Sequence, residues 1–197
     1  LIIDLLVRKY PSLIYTGYKT VPDAHVGKSR IKAIVLGADP THIVNGVPVE
    51  MKKVFGLDDL HSPYWRGIGR NLQRIDGLSM ENIHVQNLCR NYFTIETSKN
   101  KHWVDIARDY WAPFLRKELD ELYPGGVPVL ITTEFILHAI LKDEKKKIPA
   151  STIYKECMPI PKEENLLNRK IIAFYRHHYY SLEREQWSDY VKSIHVD

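Results

Sequence analysis

Cysteine is scarce: Cys89 and Cys157 are the two in a chain of 197 residues. Two thiols make no disulfide framework, form no Cys-x-x-Cys unit and cannot by themselves ligate a four-cysteine iron–sulfur cluster. Both are expected to stay reduced, in a cytoplasmic protein. No apolar run approaches the ~20 residues of a membrane span. The opening Leu1–Leu6 is apolar but short, is interrupted by Asp4, and lacks the flanks of a signal peptide. No membrane partner is expected. Internal repeats and low-complexity tracts are also missing. So are a Gly-x-Ser-x-Gly elbow, a Walker loop and a Gly-x-Gly-x-x-Gly turn, which argues against the α/β chemistries those motifs carry.

Neither sign of charge dominates. The 28 basic and 24 acidic residues leave +4, which permits a polyanionic partner without demanding one. Apolar residues at 44% and charged residues at 26% place the chain among globular proteins and outside the disordered ones. The length suits one domain, residues 1–197, expected to be a monomer. Twelve tyrosines and four tryptophans, several beside Lys or Arg, suit phosphate contact with base stacking. A normal aromatic core under a basic surface accounts for the same composition.

Four segments read as buried strands: Ile31–Leu36, Asn82–Gln86, Pro128–Thr133 and Lys170–Tyr175. Each is short, β-branched or aromatic, and bounded by turn or polar residues. Helical periodicity marks Tyr64–Ile75 (with Ser62-Pro63 as cap and first position), Trp103–Leu122, Glu134–Leu141 and Leu182–Ile194. Cys157–Leu166, with Pro159 and Pro161, reads as a loop or edge excursion. The charge run 142–147 reads as a solvated helix end or loop. The alternation predicts a mostly parallel sheet with helices on both faces.

Ligands of such sheets bind at the C-terminal ends of the strands. There the chain places Gly37-Ala38-Asp39-Pro40-Thr41-His42, then Asn87, then Thr132-Thr133-Glu134, then Arg176-His177-His178-Tyr179. Gly37 admits backbone that a side chain would obstruct. Pro40 stiffens the turn and holds Asp39 extended, where a carboxylate could orient water or face a cation. The same Asp-Pro pair also suits a turn in which Asp39 only bonds its own backbone. Asn87 could read a base edge or tie down a loop. His177 could support an oxyanion, or be a packed, satisfied histidine.

These three sites, in this order, resemble the motifs of the uracil-DNA glycosylase superfamily. Gly37-Ala38-Asp39-Pro40-Thr41-His42 matches four of six positions of that family's Gly-Gln-Asp-Pro-Tyr-His turn. Asn87 stands at the end of the second strand, where the family has Asn. His177-His178-Tyr179 stands in place of His-Pro-Ser. The likeness spans about residues 30–195 and rests on order and spacing between the motifs. It implies a three-layer αβα sandwich around a central, mostly parallel four-stranded sheet. It further implies a DNA repair enzyme of base excision, which hydrolyses the N-glycosidic bond of a deaminated or damaged, uracil-type base flipped from DNA. By resemblance, Asp39 positions water and stabilises the sugar cation, and His177 stabilises the leaving base. Asn87 bonds the base edge, the Ala38 amide contacts the base, and Phe55 stacks on it. Thr41 occupies the position that screens the base, and Leu182 is the candidate for an intercalating wedge. No metal and no cofactor are implied. Because Ala38, Thr41, His178 and Tyr179 depart from the motifs, two alternatives stand beside catalysis: a non-catalytic protein binding nucleic acid or nucleobase, and a hydrolase of free nucleosides. Lys28, Arg30, Arg66, Arg70 and Arg74 are candidates for a phosphate-binding face.

Overall fold

A computed structural model describes residues 2–57 and 63–196. The chain opens with helix α1 (Ile2–Lys9) and a two-residue strand β1 (His25–Val26), followed by the buried strand β2 (Ala33–Gly37). A small hairpin follows, β3 (Ile43–Val44) and β4 (Val47–Pro48). Its turn is Asn45-Gly46, both at positive φ, the geometry a two-residue hairpin loop demands. Helix α2 (Pro63–Leu72) leads to β5 (Ile83–Asn87). Helices α3 (Trp103–Ile106) and α4 (Ala112–Leu122) precede β6 (Val129–Ile131). Helices α5 (Glu134–Ile140) and α6 (Ala150–Lys155) precede β7 (Ile171–Ala173), and α7 (Ser188–Ser193) closes the described chain.

The fold is mixed α/β around a five-stranded sheet in the order β1-β5-β2-β6-β7. Strands β5, β2, β6 and β7 are parallel, and β1 joins at the β5 edge antiparallel. The four expected strands are thus present, and β1 is the addition. Every residue of β2, β5, β6 and β7 is buried; β2, β6 and β7 are accordingly apolar throughout, whereas β5 buries the polar His84, Gln86 and Asn87 as well.

Several expected boundaries move. The helix expected over Trp103–Leu122 is not uniform: Ala107–Trp111 is a π-helical turn between α3 and α4. Pro113 follows it and has no N–H to donate back along the helix, so the wider turn absorbs the lost bond. The C-terminal helix is shorter than Leu182–Ile194, because the chain first makes a 3₁₀ turn at Glu185–Trp187. Ser62, the expected cap of α2, lies outside the described residues. The segment Cys157–Leu166 is an edge excursion, with Ile160 bridging Ile171 antiparallel. The run 142–147 is exposed, as so dense a set of charges requires. Helices α1 and α6, strand β1 and the β3–β4 hairpin were not anticipated from the sequence.

The strand order turns back at β2. The chain leaves β2 to β5 on one side, then crosses to β6 and β7 on the other. That reversal opens a crevice at the C-terminal end of β2, where the Gly37–His42 turn begins.

Candidate functional site

The turn after β2 is held from inside. Asp39 Oδ1 accepts the backbone N–H of Thr41 at 2.8 Å, so Asp39 does bond its own turn. Its other oxygen, Oδ2, accepts from the Thr97 hydroxyl and from Trp103 Nε1, the latter at 2.8 Å. The Thr41 side chain is a further hydrogen-bonding partner of the carboxylate, so the turn, Thr97 and Trp103 together hold it closely. Burial pushes the Asp39 pKa above its ordinary value, and the Thr41, Thr97 and Trp103 bonds only partly offset this.

Asp39 lines a cavity of about 290 Å³ with Ala38, Thr41, His42, Phe55 and Ile68, among others. The Thr41 hydroxyl accepts from Phe93 N at 2.8 Å and also bears on the Asp39 carboxylate, whose ionised form it favours. Phe55 is buried at φ +58, in a 3₁₀ turn ahead of Gly56, also at positive φ. A Cβ at position 37 would collide with the Phe55 ring and with Asn87 Oδ1. Gly37 is therefore required by close approach of these two side chains, not by an unusual φ.

A second cavity of about 530 Å³ adjoins the first, lined by Glu134, Tyr175 and His177 together with Thr132, Thr133, Phe135 and Arg176. Those last four residues also line the Asp39 cavity, so the two are lobes of one cleft across the ends of β2, β6 and β7. Arg176 supplies positive charge there, since burial lowers its pKa only to about 10. His177 is exposed on the rim rather than packed in the core. Its Nδ1 accepts Tyr179 N–H at 3.2 Å, which places the proton of the neutral ring on Nε2.

Asn87 sits differently. It is buried, pairs in register with Gly37, and lines a third cavity with His84, Gln86, Arg90 and Glu118. Its Oδ1 has no hydrogen-bond partner among the described residues. Asp39, Asn87 and His177 therefore line three cavities: two lobes of one cleft, and a slot from which Asn87 reaches Gly37 beside the Phe55 ring.

Leu182 is 1% exposed within the core, so it cannot serve as a wedge: a buried side chain has no access to a base stack. Arg66, Arg70 and Arg74 are exposed on or just after α2, whose Ile68 lines the Asp39 cavity. Lys28 and Arg30 precede β2, and Arg30 borders a cavity at the opposite end of the sheet with Gly125 and Lys170. The five cations do not form one face at the cleft. Thr97 and Trp103, which hold Asp39, were not anticipated: Trp103 reads as an apolar core position of a helix, and nothing local ties it to a residue 64 positions away.

Among the described residues no group of three or more His, Cys, Asp and Glu side chains is placed to hold a metal ion. Nor is any helix long and apolar enough to cross a membrane. No model of a known protein family matches the chain, and no curated protein is similar to it.

Proposed function

We propose that the chain is a divergent member of the uracil-DNA glycosylase superfamily, hydrolysing the N-glycosidic bond of a deaminated or damaged base in DNA. The observation that carries this is the Asp39 carboxylate, held at the end of the central strand by its own turn, Thr97 and Trp103, and lining a cavity. The proposed fold is the three-layer αβα sandwich of that family. The crossover from β2 to β5 runs opposite to those from β5 to β6 and β6 to β7, and right-handed crossovers in opposite directions put their helices on opposite faces.

In the proposed reaction the bond between base and C1′ breaks and the base leaves with the electron pair. Ionised Asp39 stabilises the positive charge that develops on the sugar and orients the attacking water. The water oxygen bonds C1′ and its proton is released. His177 Nε2–H, on the adjoining lobe, faces the anion on the leaving base. Phe55 flanks the base, the Ala38 amide and Thr41 border it, and Asn87 reads its edge from beside Gly37. Arg66 and Arg70 on the outer side of α2 are placed to meet phosphates of the DNA.

Asp39→Asn is expected to cut release of free base from lesion-containing oligonucleotides by about a hundredfold or more. Wild-type protein that releases no base from a broad panel of lesions would sink the catalytic proposal. One observation favours the second reading, a non-catalytic binder of nucleic acid or nucleobase: the bonds to Asp39 from its own turn, Thr97 and Trp103 also describe a structural carboxylate. In that case oligonucleotide binding, weakened by salt, would persist without release of base.

A further inference from the structure

The β3–β4 hairpin turns an apolar face to solvent. Val44 pairs with Val47 and Ile43 with Pro48; Val49 N donates to His42 O at 2.7 Å, which makes His42 and Val49 the next pair. Side chains alternate between the two faces of a ribbon, so Ile43 and Pro48 share one face and His42, Val44, Val47 and Val49 share the other. The first face is turned to the protein, with Pro48 buried and Ile43 half-buried. The second is turned to water, with Val44 47% and Val47 48% exposed. Alternation along such a ribbon ordinarily makes its solvent face polar. Strand propensity asks only for branching at Cβ, which threonine would supply without the apolar surface.

The ribbon is stiff, and it stands beside the cleft. Its Asn45-Gly46 turn is a tight two-residue loop, and the Tyr18 hydroxyl donates to Pro48 O on the inner side. His42, on the valine face, also lines the Asp39 cavity. The Val44–Val47 pair lies two residues beyond His42, about 7 Å by the rise of a strand. The chain that leaves the hairpin is basic, with Lys52 and Lys53 exposed against the single acid Glu50. The 3₁₀ turn at Val54–Gly56 then packs against α2, which carries the exposed Arg66. An apolar tip flanked by cations suits one kind of partner, a polymer with phosphates outside and stacked bases within.

We infer that the hairpin tip is a wedge for duplex DNA. Val44 and Val47 enter the base stack at the lesion and fill the gap left when the damaged nucleotide turns into the Asp39 cavity. Lys52 and Lys53 meet phosphates alongside. The inference rests on the glycosylase reading of the cleft and adds the form of the substrate: a duplex, whose stack has to be opened, rather than a single strand, whose bases are already accessible.

The test compares release of base from a lesion-containing duplex with release from the lesion strand alone. With Val44→Ser and Val47→Ser together, duplex release is expected to fall by about tenfold or more and single-strand release to stay within about twofold, because only the duplex has to be unstacked. Val44→Ile with Val47→Ile, which keeps the face apolar and β-branched, should retain duplex release. A second measurement needs no cleavage. The Asp39→Asn chain is mixed at low salt with a duplex carrying 2-aminopurine next to the lesion, and its fluorescence should rise as the base unstacks. Adding the two serines should remove that rise. The inference is overturned if the serine variant loses release from both substrates by the same factor or from neither. It is also overturned if the isoleucine variant loses duplex release as the serine variant does, or if 2-aminopurine shows no rise. No release from either substrate by wild type, with the rise present, would overturn the glycosylase reading alone.

Discussion

The chemistry of the cleft depends on one carboxylate and the donors that hold it. Trp103 is fully buried, so its indole N–H has Asp39 as its partner instead of water. Trp103→Phe keeps most of the ring and removes that donor. A bond to an ionised group is worth about 1.5–3 kcal/mol. The variant should therefore lose about 2 kcal/mol in denaturant unfolding at neutral pH, with an unchanged slope. The Asp39 pKa should also rise further, because one bond favouring the ionised form is gone. Any Asp39-dependent base release would then lose its acid limb at a higher pH than in wild type. An unchanged unfolding midpoint and pH profile would show that the bond contributes nothing in solution. The Gly37–His42 turn itself is legible in the chain, from Gly, Asp and Pro in their order. Its anchors are not, because a tryptophan at helical spacing gives no sign that its nitrogen faces a carboxylate.

Among the elements, α2 and the chain after β7 are joined by one side chain. Asn71, 3% exposed near the end of α2, accepts from Leu182 N at 2.9 Å and from Ser181 Oγ at 3.3 Å. This bond fixes the path of the loop that carries His177. Asn71→Ala leaves the Leu182 N–H buried without that acceptor, at a cost of about 1–3 kcal/mol. Amide hydrogen exchange at Leu182 should accelerate by more than exchange in β2 and β5, which follows global stability. Uniform loss of protection would mean that the loop does not open as a separate unit. Strands β2, β6 and β7 were readable because burial on both faces makes them apolar throughout, and β5 because its β-branched Ile83 and Val85 stand between turn and polar residues. Strand β1 was not readable, since two residues have no period. Asn45-Gly46 carries the signal of the hairpin, but the strands on either side are too short to reinforce it.

For the molecule as a whole, buried titratable groups set how stability changes with pH. Burial holds His84 at a pKa of about 4, below its unfolded value near 6.5. The unfolded chain therefore binds this proton more readily between those values. Stability from His84 is fully present above about pH 6.5 and is lost as pH falls toward 4, by about 3 kcal/mol. Asp39 acts in the opposite direction, because its folded pKa is raised: its contribution favours the fold in acid and fades as pH rises through the raised value. Denaturant midpoints measured between pH 7 and 4.5 should fall for wild type and fall less for His84→Gln. Parallel profiles for the two proteins would show that His84 is not buried neutral in solution.

The amino-acid sequence by itself determined the α/β class, the four parallel strands and the turn that presents Asp39. These follow from local matters: apolar runs, turn chemistry and the restricted backbone around proline. Only the tertiary structure decided the strand order, and with it the crevice at β2. It also decided that Trp103 and Thr97 hold Asp39, that Leu182 is core, and that Asn87 and His177 open onto cavities beside the Asp39 lobe. Each of those depends on which distant segments meet, and the strength of a contact between distant residues leaves no pattern along the chain that either residue occupies.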